Sequence, residues 1–475
     1  MSAPWARDEV GDADLGDERL DARLELVLSA LGNRPNLSIP AACGGRTEMV
    51  GAYRFFNNDK VTFDKVLQPH VARTVQRVAE QKVALLVQDT SEIDLTRPEQ
   101  EVTGVGDLDG SRRGFLLHEM QAFTPEGTPL GTVWAEIVNR TEGVSHASAA
   151  EKAYQNKHTP IEEKESRRWL TGMRQARALA QQTPAVSCVC TADSEADIYE
   201  LFVEPRGEVP VHWLIRACQD RALETDAGHL RDPVRATPVL YQVELLIRGR
   251  KAKTAVEERS RRQNRETRQA AVEVRAATVT LRPPWRFDRQ LPAVTLNVVL
   301  VGEANPPAGE PPVEWILATT LPIDSPEQVR QIVEYYCVRW CIELLFRTLK
   351  SGCRIERRRF EDVDRVLPCL ALYLIVAWRT LFVCRLGREC PDADCEAIFE
   401  PSEWKAVWMA VHQKKPPKRP PRLSEMVHLI ARLGGYVERP QNEPGAQTVW
   451  IGLQRMYDLA WAWDSFGPGA KVSTG

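Results

Sequence analysis

Two short apolar runs, each followed by an aspartate, constrain the fold of this chain most strongly. The runs are KVALLVQD at residues 82–89 and SCVCTAD at residues 187–193. Short uncharged runs rich in β-branched residues are typical of buried strands. The sequence therefore predicts two buried strands, with Asp89 and Asp193 at or just beyond their C-terminal ends.

The patterns around these runs change along the chain. Short helical patterns extend to about residue 80, a β-like block covers about 225–320, and helical periodicity follows from residue 325. A length of 475 residues is too long for one ordinary core, so we expect two or three domains. The order of strands and helices predicts an α/β fold class.

Composition excludes several classes of protein. Hydrophobic residues make up 43% of the chain and charged residues 27%, as in soluble globular proteins. The first ten residues contain no apolar core that would serve as a secretory signal. The apolar run at 367–378 is too short to cross a bilayer and is typical of a buried helix. We expect a cytoplasmic protein with no membrane partner.

Charge is distributed unevenly. The net charge is −3, which by itself argues weakly against a nucleic-acid partner. Basic residues nevertheless cluster from Arg248 to Arg268, from Arg339 to Arg359 and from Lys414 to Arg422. One such cluster is commonly a solvated face. Three clusters on a slightly acidic chain favour a polyanionic partner.

The segment EYYCVRWCIELLFRTLKSGCRIERRRF, at residues 334–360, carries one acid among cations and aromatics. On a regular helix, Tyr336, Arg339, Glu343 and Lys350 fall within roughly 60° of one another. A solvent-exposed Arg–Glu pair four residues apart is the simplest interpretation of this pattern. The two strand-end aspartates favour a second interpretation.

Asp89, Asp193 and Glu343 together would form a cluster of three carboxylates. Three acids at one point repel each other, unless cations neutralise them. Oxygen ligands suit Mg²⁺ or Mn²⁺, and two such ions about 3.5–4 Å apart support phosphoryl transfer. Three neighbouring acids compete for the same role and rank second: Asp94, Glu195 and Asp197.

The spacing of Tyr336, Arg339, Glu343 and Lys350 resembles the Y-R-E-K signature of the insertion-sequence-four family of bacterial DDE transposases. Further motifs resemble the same family in the same order along essentially the whole chain. They are ADLGDERL (13–20), GAYRFFNN (51–58), QDTSE (88–92), DSEADIY (193–199), NPPAGEPPVEW (305–315), RWCIELLFRTLKSG (339–352) and ARLGGY (431–436).

This resemblance implies a ribonuclease-H-like mixed-sheet catalytic core with an inserted β domain, between helical N- and C-terminal domains. The implied domains are a helical DNA-end-binding domain at 1–64, a catalytic domain at 65–385 and a helical dimerisation domain at 386–475. The inserted β subdomain would cover about 222–322. The implied activity is cut-and-paste transposition through a hairpin intermediate, with two Mg²⁺ ions, or Mn²⁺ in their place, at each active site.

The resemblance also implies roles for individual residues. Asp89, Asp193 and Glu343 would be the catalytic acids and metal ligands. Seven residues would contact DNA: Tyr336, Arg339, Lys350, Trp315, Arg216, Arg54 and Arg359. In the family, the residue matching Trp315 stacks on a base flipped out of the hairpin. The partners would be double-stranded DNA, both transposon ends and target, and a second copy of the chain in a synaptic homodimer.

Two other functions remain open from the sequence. A ribonuclease-H-fold nuclease would cut without joining, although Trp315 and the full Y-R-E-K set argue against it. A transposase-derived regulator would hold DNA without cutting, although the presence of all three acids argues against such decay.

Overall fold

The computed structural model divides the chain into two compact units, and each is described by itself. One unit comprises Met1–His146 with Trp340–Gly475, and the other comprises Ala147–Arg339. The structure describes residues 2–97, 101–140, 151, 154, 158–224, 228–247, 267–308, 312–438 and 443–468. Most of the predicted basic cluster from Arg248 to Arg268 lies outside these residues. We call the two units the terminal unit and the middle unit.

The N-terminal part of the terminal unit is helical, as predicted. Its helices are α1 (Pro4–Val10), α2 (Glu18–Asn33), α3 (Ile39–Cys43), α4 (Arg46–Phe56) and α5 (Phe63–Ala79). Helix α2 begins at the N-cap Asp17, whose carboxylate accepts a hydrogen bond from the Arg19 amide. It buries the apolar face that includes Leu24, Val27 and Leu28, because residues three and four apart share one side of a helix.

A buried polar cluster fixes α1 against α5. The carboxylate of Glu9 lies 2.5 Å from Nδ1 of His70 and also accepts hydrogen bonds from Arg77. On the other side of the imidazole ring, Nε2 accepts the Thr132 amide at 3.0 Å. Nε2 therefore carries no proton, and the ring is the neutral tautomer that donates from Nδ1 to Glu9. This agrees with the burial of His70, which lowers its pKa.

Strands follow in the same unit. They are β1 (Val83–Asp94), β2 (Gly106–Asp107), β3 (Arg113–Phe123) and β4 (Pro129–Val138). Strand β3 pairs antiparallel with β1, β2 and β4. The prediction that β1 ends at Asp89 is wrong, because the strand continues to Asp94. Its polar second half pairs with residues 114–119 of β3, and a pairing partner is not visible in local sequence.

The middle unit combines helices with a longer set of strands. In chain order they are α6 (Arg167–Gln182), β5 (Ser187–Ala192), α7 (Tyr199–Val203), β6 (His212–Arg216), α8 (Arg231–Ala236), β7 (Tyr241–Ile247), β8 (Arg268–Leu281), β9 (Val294–Glu303), β10 (Glu314–Thr319) and α9 (Pro326–Val338). Strand β5 is parallel to β6, and β6 is antiparallel to β10. Antiparallel pairing continues from β10 through β9 and β8 to β7. Asp193 directly follows β5, as predicted.

Helices complete the terminal unit. They are α10 (Trp340–Arg347), α11 (Val363–Glu389), α12 (Pro401–His412), α13 (Leu423–Leu433) and α14 (Ala446–Phe466). Helix α11 is long and apolar enough to cross a membrane by length and composition alone, but 89% of its most apolar window is buried inside the protein. The predicted buried helix at 367–378 therefore lies within a core helix. The mixed α/β architecture with helical ends matches the predicted fold class.

The regular helix assumed for Tyr336, Arg339, Glu343 and Lys350 is interrupted. Helix α9 ends at Val338, and the amide of Arg339 bonds the carbonyl of Tyr336 at 3.1 Å, three residues back. Helix α10 then begins at Trp340, and a π-helical turn at Thr348–Gly352 follows it. Both departures change the rotation per residue from that of a regular α-helix. The regular-helix geometry that predicted a shared face for Lys350 and Glu343 therefore does not apply.

Candidate functional site

Tyr336 is the centre of a compact group of side chains in the middle unit. Its helix, α9, starts with a capping box in which Ser325 and Gln328 bond each other's backbone amides. Ten residues later Tyr336 is 2% exposed. The indole of Trp315 meets its ring edge to face, with centroids 5.7 Å apart, and the Arg339 guanidinium lies 5.9 Å from the same ring.

Charged residues of the middle unit act on this phenol. Burial raises the pKa of Tyr336, the positive charges of Arg339 and Arg216 oppose that rise, and the negative charge of Asp193 adds to it. The phenol therefore keeps its proton at neutral pH and remains a hydrogen-bond donor. These five residues, Asp193, Arg216, Trp315, Tyr336 and Arg339, are called the Tyr336 cluster below.

Strand pairing positions two members of this cluster. Arg216 is the last residue of β6 and lies opposite Leu317 of β10. Trp315 stands two residues before Leu317 on β10, so its side chain projects from the same face of that strand as Leu317. Both Arg216 and Trp315 are half-buried. Their side chains are thus held by a sheet and remain partly accessible.

The acids around Asp193 have separate structural partners. Asp193 caps a short 3₁₀ turn through one carboxylate oxygen, Oδ1, which accepts the Glu195 amide at 2.8 Å. Glu195 pairs with Arg168 at 3.0 Å. Asp197 is buried, accepts two backbone amides and forms an ion pair with Arg221 at 2.6 Å. These bonds favour Asp193 over its two neighbours as a reactive carboxylate.

The terminal unit carries the other two predicted acids on adjacent elements. Asp89 lies within β1, is partly exposed and accepts the amide of Thr90 at 2.7 Å. Helix α10 packs against β1. That helix buries an apolar face, including Ile342 and Leu345, and exposes Glu343. Glu343 therefore lies on the solvent-facing side of this amphipathic helix and not on its apolar face.

Lys350 is linked to β1 through an acid that the sequence analysis did not single out. The Lys350 ammonium lies 3.8 Å from Oε1 of Glu356. The same oxygen accepts the Asp94 amide at 3.2 Å. Glu356 therefore ties the lysine-bearing turn to the strand that carries Asp89. Its signal in the sequence was the one acid within RIERRRF, at residues 354–360.

The arginines predicted to bind DNA differ in exposure. Arg54, in the last turn of α4, is exposed, and so is Arg359. Between the exposed Arg357 and Arg359, Arg358 is only 4% exposed. A run of arginines that looks uniformly basic in sequence therefore divides into surface cations and one buried guanidinium.

The donor types fit a hard divalent cation. Asp89, Asp193 and Glu343 offer carboxylate oxygens, which Mg²⁺ and Mn²⁺ prefer. Among the residues that the structure describes, no group of three histidine, cysteine or acidic side chains could hold a metal ion. The three-acid metal site therefore stays a prediction.

Three family models match this chain, in order along the sequence. Residues 2–61 match "Transposase DNA-binding", residues 170–378 match "Transposase DDE domain", and residues 375–461 match "Transposase Tn5 dimerisation domain". Asp193 and Glu343 lie inside the matched DDE range, and Asp89 precedes it. DNA binding, a DDE domain and a dimerisation domain together define a DNA transposase.

The chain belongs to the Tn5-like DDE transposases. Placement in the insertion-sequence-four family is consistent with these matches. The DDE domain implies a ribonuclease-H-like core and metal-dependent DNA cleavage and transfer. The DNA-binding and dimerisation domains support DNA as a partner and a homodimer as the assembly. As a DNA transposase, the enzyme acts in the compartment that contains its DNA substrate.

Proposed function

We propose that this transposase moves DNA by a cut-and-paste reaction that passes through a hairpin. Water attacks the phosphodiester at the transposon end and releases a 3′-hydroxyl. That hydroxyl attacks the opposite strand, which forms the hairpin and frees the flanking DNA. A second water opens the hairpin, and the regenerated 3′-hydroxyl then joins target DNA by displacing a target 3′-oxygen.

The observation that carries this proposal is the Tyr336 cluster. A half-buried tryptophan lies against a buried phenol, and two arginines and an acid act electrostatically on that phenol. A nuclease that only hydrolyses a strand has no need of an aromatic platform. Hairpin formation bends a strand sharply and unstacks a base, at a cost of a few kcal/mol. Stacking of that base on Trp315 offsets part of the cost.

Asp89, Asp193 and Glu343 are the proposed catalytic acids and metal ligands. Two Mg²⁺ ions per active site, replaceable by Mn²⁺, would supply Lewis-acid stabilisation of the attacking and leaving oxygens. The chain's own residues orient the DNA. Arg339 and Arg216 bind phosphate oxygens as fork-shaped donors.

The remaining DNA contacts have separate tasks. Tyr336 donates a hydrogen bond from its phenolic hydroxyl to a phosphate oxygen, because its raised pKa keeps the hydroxyl protonated. Lys350 holds a phosphate as a point charge, from the π-helical turn that follows α10. Arg54 contacts the transposon end from the DNA-binding region, and Arg359 contacts the phosphate backbone. In the synaptic homodimer, each subunit acts on the end bound by the other, in the bacterial cytoplasm at the nucleoid.

An excision assay tests the proposal. DNA flanking the gene is placed on a plasmid, purified protein is added with Mg²⁺, and products are resolved on a denaturing gel. Hairpin ends with the wild type and none with Glu343→Gln are expected. Open double-strand breaks without hairpins would overturn the hairpin step and indicate a simple nuclease. Retained binding of end DNA with no cleavage by either protein would indicate a binding regulator.

A further inference from the structure

The segment Cys353–Asp362 joins the π-helical turn that carries Lys350 to the start of α11. We call it the arginine segment. Its composition is typical of a DNA-contacting loop. Arg358 departs from that expectation because it is buried, whereas its two neighbours in sequence are exposed. A buried guanidinium needs partners for its donors, and those partners connect two regions of the terminal unit.

The side chain of Arg358 forms hydrogen bonds with the DNA-binding region. Its guanidinium donates to the carbonyl oxygens of Pro35 and Leu37, and also to that of Cys353 in its own segment. The Pro35–Leu37 turn follows α2, within the range that matches a transposase DNA-binding domain. The guanidinium also stacks on the ring of Tyr373, with 4.6 Å to the ring centroid. Hydrogen bonds from a charged donor are roughly twice as strong as neutral ones.

The other side of the arginine segment is attached to catalytic elements. Arg97, which follows β1, donates to the carbonyls of Arg358 and Phe360. Glu356 accepts the amide of Asp94 in β1 and lies 3.8 Å from Lys350. This segment of ten residues therefore contacts the DNA-binding region through Arg358, and it contacts both β1 and Lys350 through Glu356.

We propose that Arg358 is a positioning residue that makes the placement of Lys350 and β1 depend on transposon-end DNA held by the DNA-binding region. A shift of the Pro35–Leu37 turn moves the guanidinium, and the segment carries that shift to Glu356. The inference rests on the proposed function for the chemistry that it regulates. Small displacements are sufficient, because misplacement of catalytic groups by about 1 Å can cost about a hundredfold in rate.

Arg358→Lys tests the link. Lysine keeps the charge but lacks the planar fork that reaches several carbonyls at once. The matched control is Arg379→Lys. Arg379 is also buried and also stacks on an aromatic ring, that of Trp5, at 4.6 Å. It donates to the Tyr457 hydroxyl at 2.9 Å and does not belong to the arginine segment.

The single-turnover cleavage rate is measured at saturating DNA with an end duplex and with a scrambled duplex. The readout is the rate with the end duplex divided by the rate with the scrambled duplex. For Arg358→Lys we expect end-DNA affinity within threefold of wild type and a tenfold or larger fall in this ratio. Arg379→Lys should keep the wild-type ratio even where its melting temperature falls equally. An unchanged ratio in Arg358→Lys, or equal falls in both variants, would overturn the proposal.

A second measurement does not require cleavage or a folded variant. Hydrogen exchange of peptides covering residues 350–362 is followed in the wild-type protein, with the end duplex, with the scrambled duplex and with no DNA. We expect slower exchange with the end duplex only. Equal exchange in all three samples would overturn the coupling. Failure of the wild type to cleave would count against the proposed function, while this measurement would still decide the coupling.

Discussion

The indole of Trp315 and the phenol of Tyr336 meet edge to face, at an interplanar angle of 61° and a centroid distance of 5.7 Å. This geometry is a favourable one for aromatic pairs. The tryptophan comes from a strand and the tyrosine from a helix, so the platform is set by two separate elements. Its rigidity matters, because a base that stacks on a fixed ring loses less free energy to ordering of the protein.

The first prediction concerns Trp315→Ala. Loss of base stacking, worth about 1–3 kcal/mol, should reduce hairpin formation about ten- to a hundredfold and leave the first nick nearly unchanged. Trp315→Phe should retain most hairpin formation. Both are measured as hairpin and nicked product on denaturing gels. The control is Trp285→Ala, since Trp285 is a 62% exposed tryptophan of the same unit. An equal loss in that control would contradict the assigned role.

The second prediction concerns the acids. Asp89→Asn and Glu343→Gln should each lower strand cleavage by about a thousandfold or more, because each removes a charged oxygen ligand from the proposed metal centre. Binding of end DNA should persist, since the substitutions remove negative charge. Glu195→Gln is the matched control, because Glu195 pairs with Arg168, and it should stay within threefold of wild type. Cleavage by Glu343→Gln near the wild-type rate would refute the three-acid assignment.

Local sequence patterns predicted several elements of this structure well. The run ending before Asp193 forms a strand as expected, and the helical periodicity that starts at residue 325 corresponds to α9, which begins at Pro326. These features depend on residues close in the chain. The extent of β1 beyond Asp89 depends on pairing with β3, which no local pattern reveals.

The same limit applies to the basic segment near the proposed site. Exposed Arg359 and buried Arg358 are neighbours of the same residue type, so composition could not separate them. Arg358 differs because it donates to the carbonyls of Pro35 and Leu37, which lie more than three hundred residues earlier in the chain. Likewise, the chain is not one regular helix here, because α9 ends before Arg339. The prediction that Lys350 shares a helix face with Glu343 depended on an unbroken helix.

The third prediction uses this difference between neighbours. Arg359→Ala should weaken end-DNA binding several-fold and should reduce the slope of log affinity against log salt by about 0.9, as expected for one lost phosphate contact. Its melting temperature should stay unchanged because the side chain is exposed. Arg174→Ala serves as control, because Arg174 is an exposed arginine that is paired with Glu204 and lies outside the three basic clusters. A salt slope identical to wild type would show that Arg359 does not contact a phosphate.

The fourth prediction concerns the buried anchor of α1. Burial raises the pKa of Glu9, but His70 and Arg77 together outweigh it and lower the pKa from 4.5 to about 2. A carboxyl with a depressed pKa stabilises the fold above its unfolded pKa, and this contribution is lost as pH falls from about 4.5 through about 2. Glu9→Gln should therefore lower the free energy of unfolding by about 3–5 kcal/mol at neutral pH, as for a broken buried ion pair. It should also flatten the dependence of stability on pH in that window.

Chemical unfolding at several pH values measures both effects. Asp12→Asn, which removes the solvent-exposed partner of Arg73, should cost less than about 1 kcal/mol. Equal losses in the two variants would contradict a buried, charged Glu9.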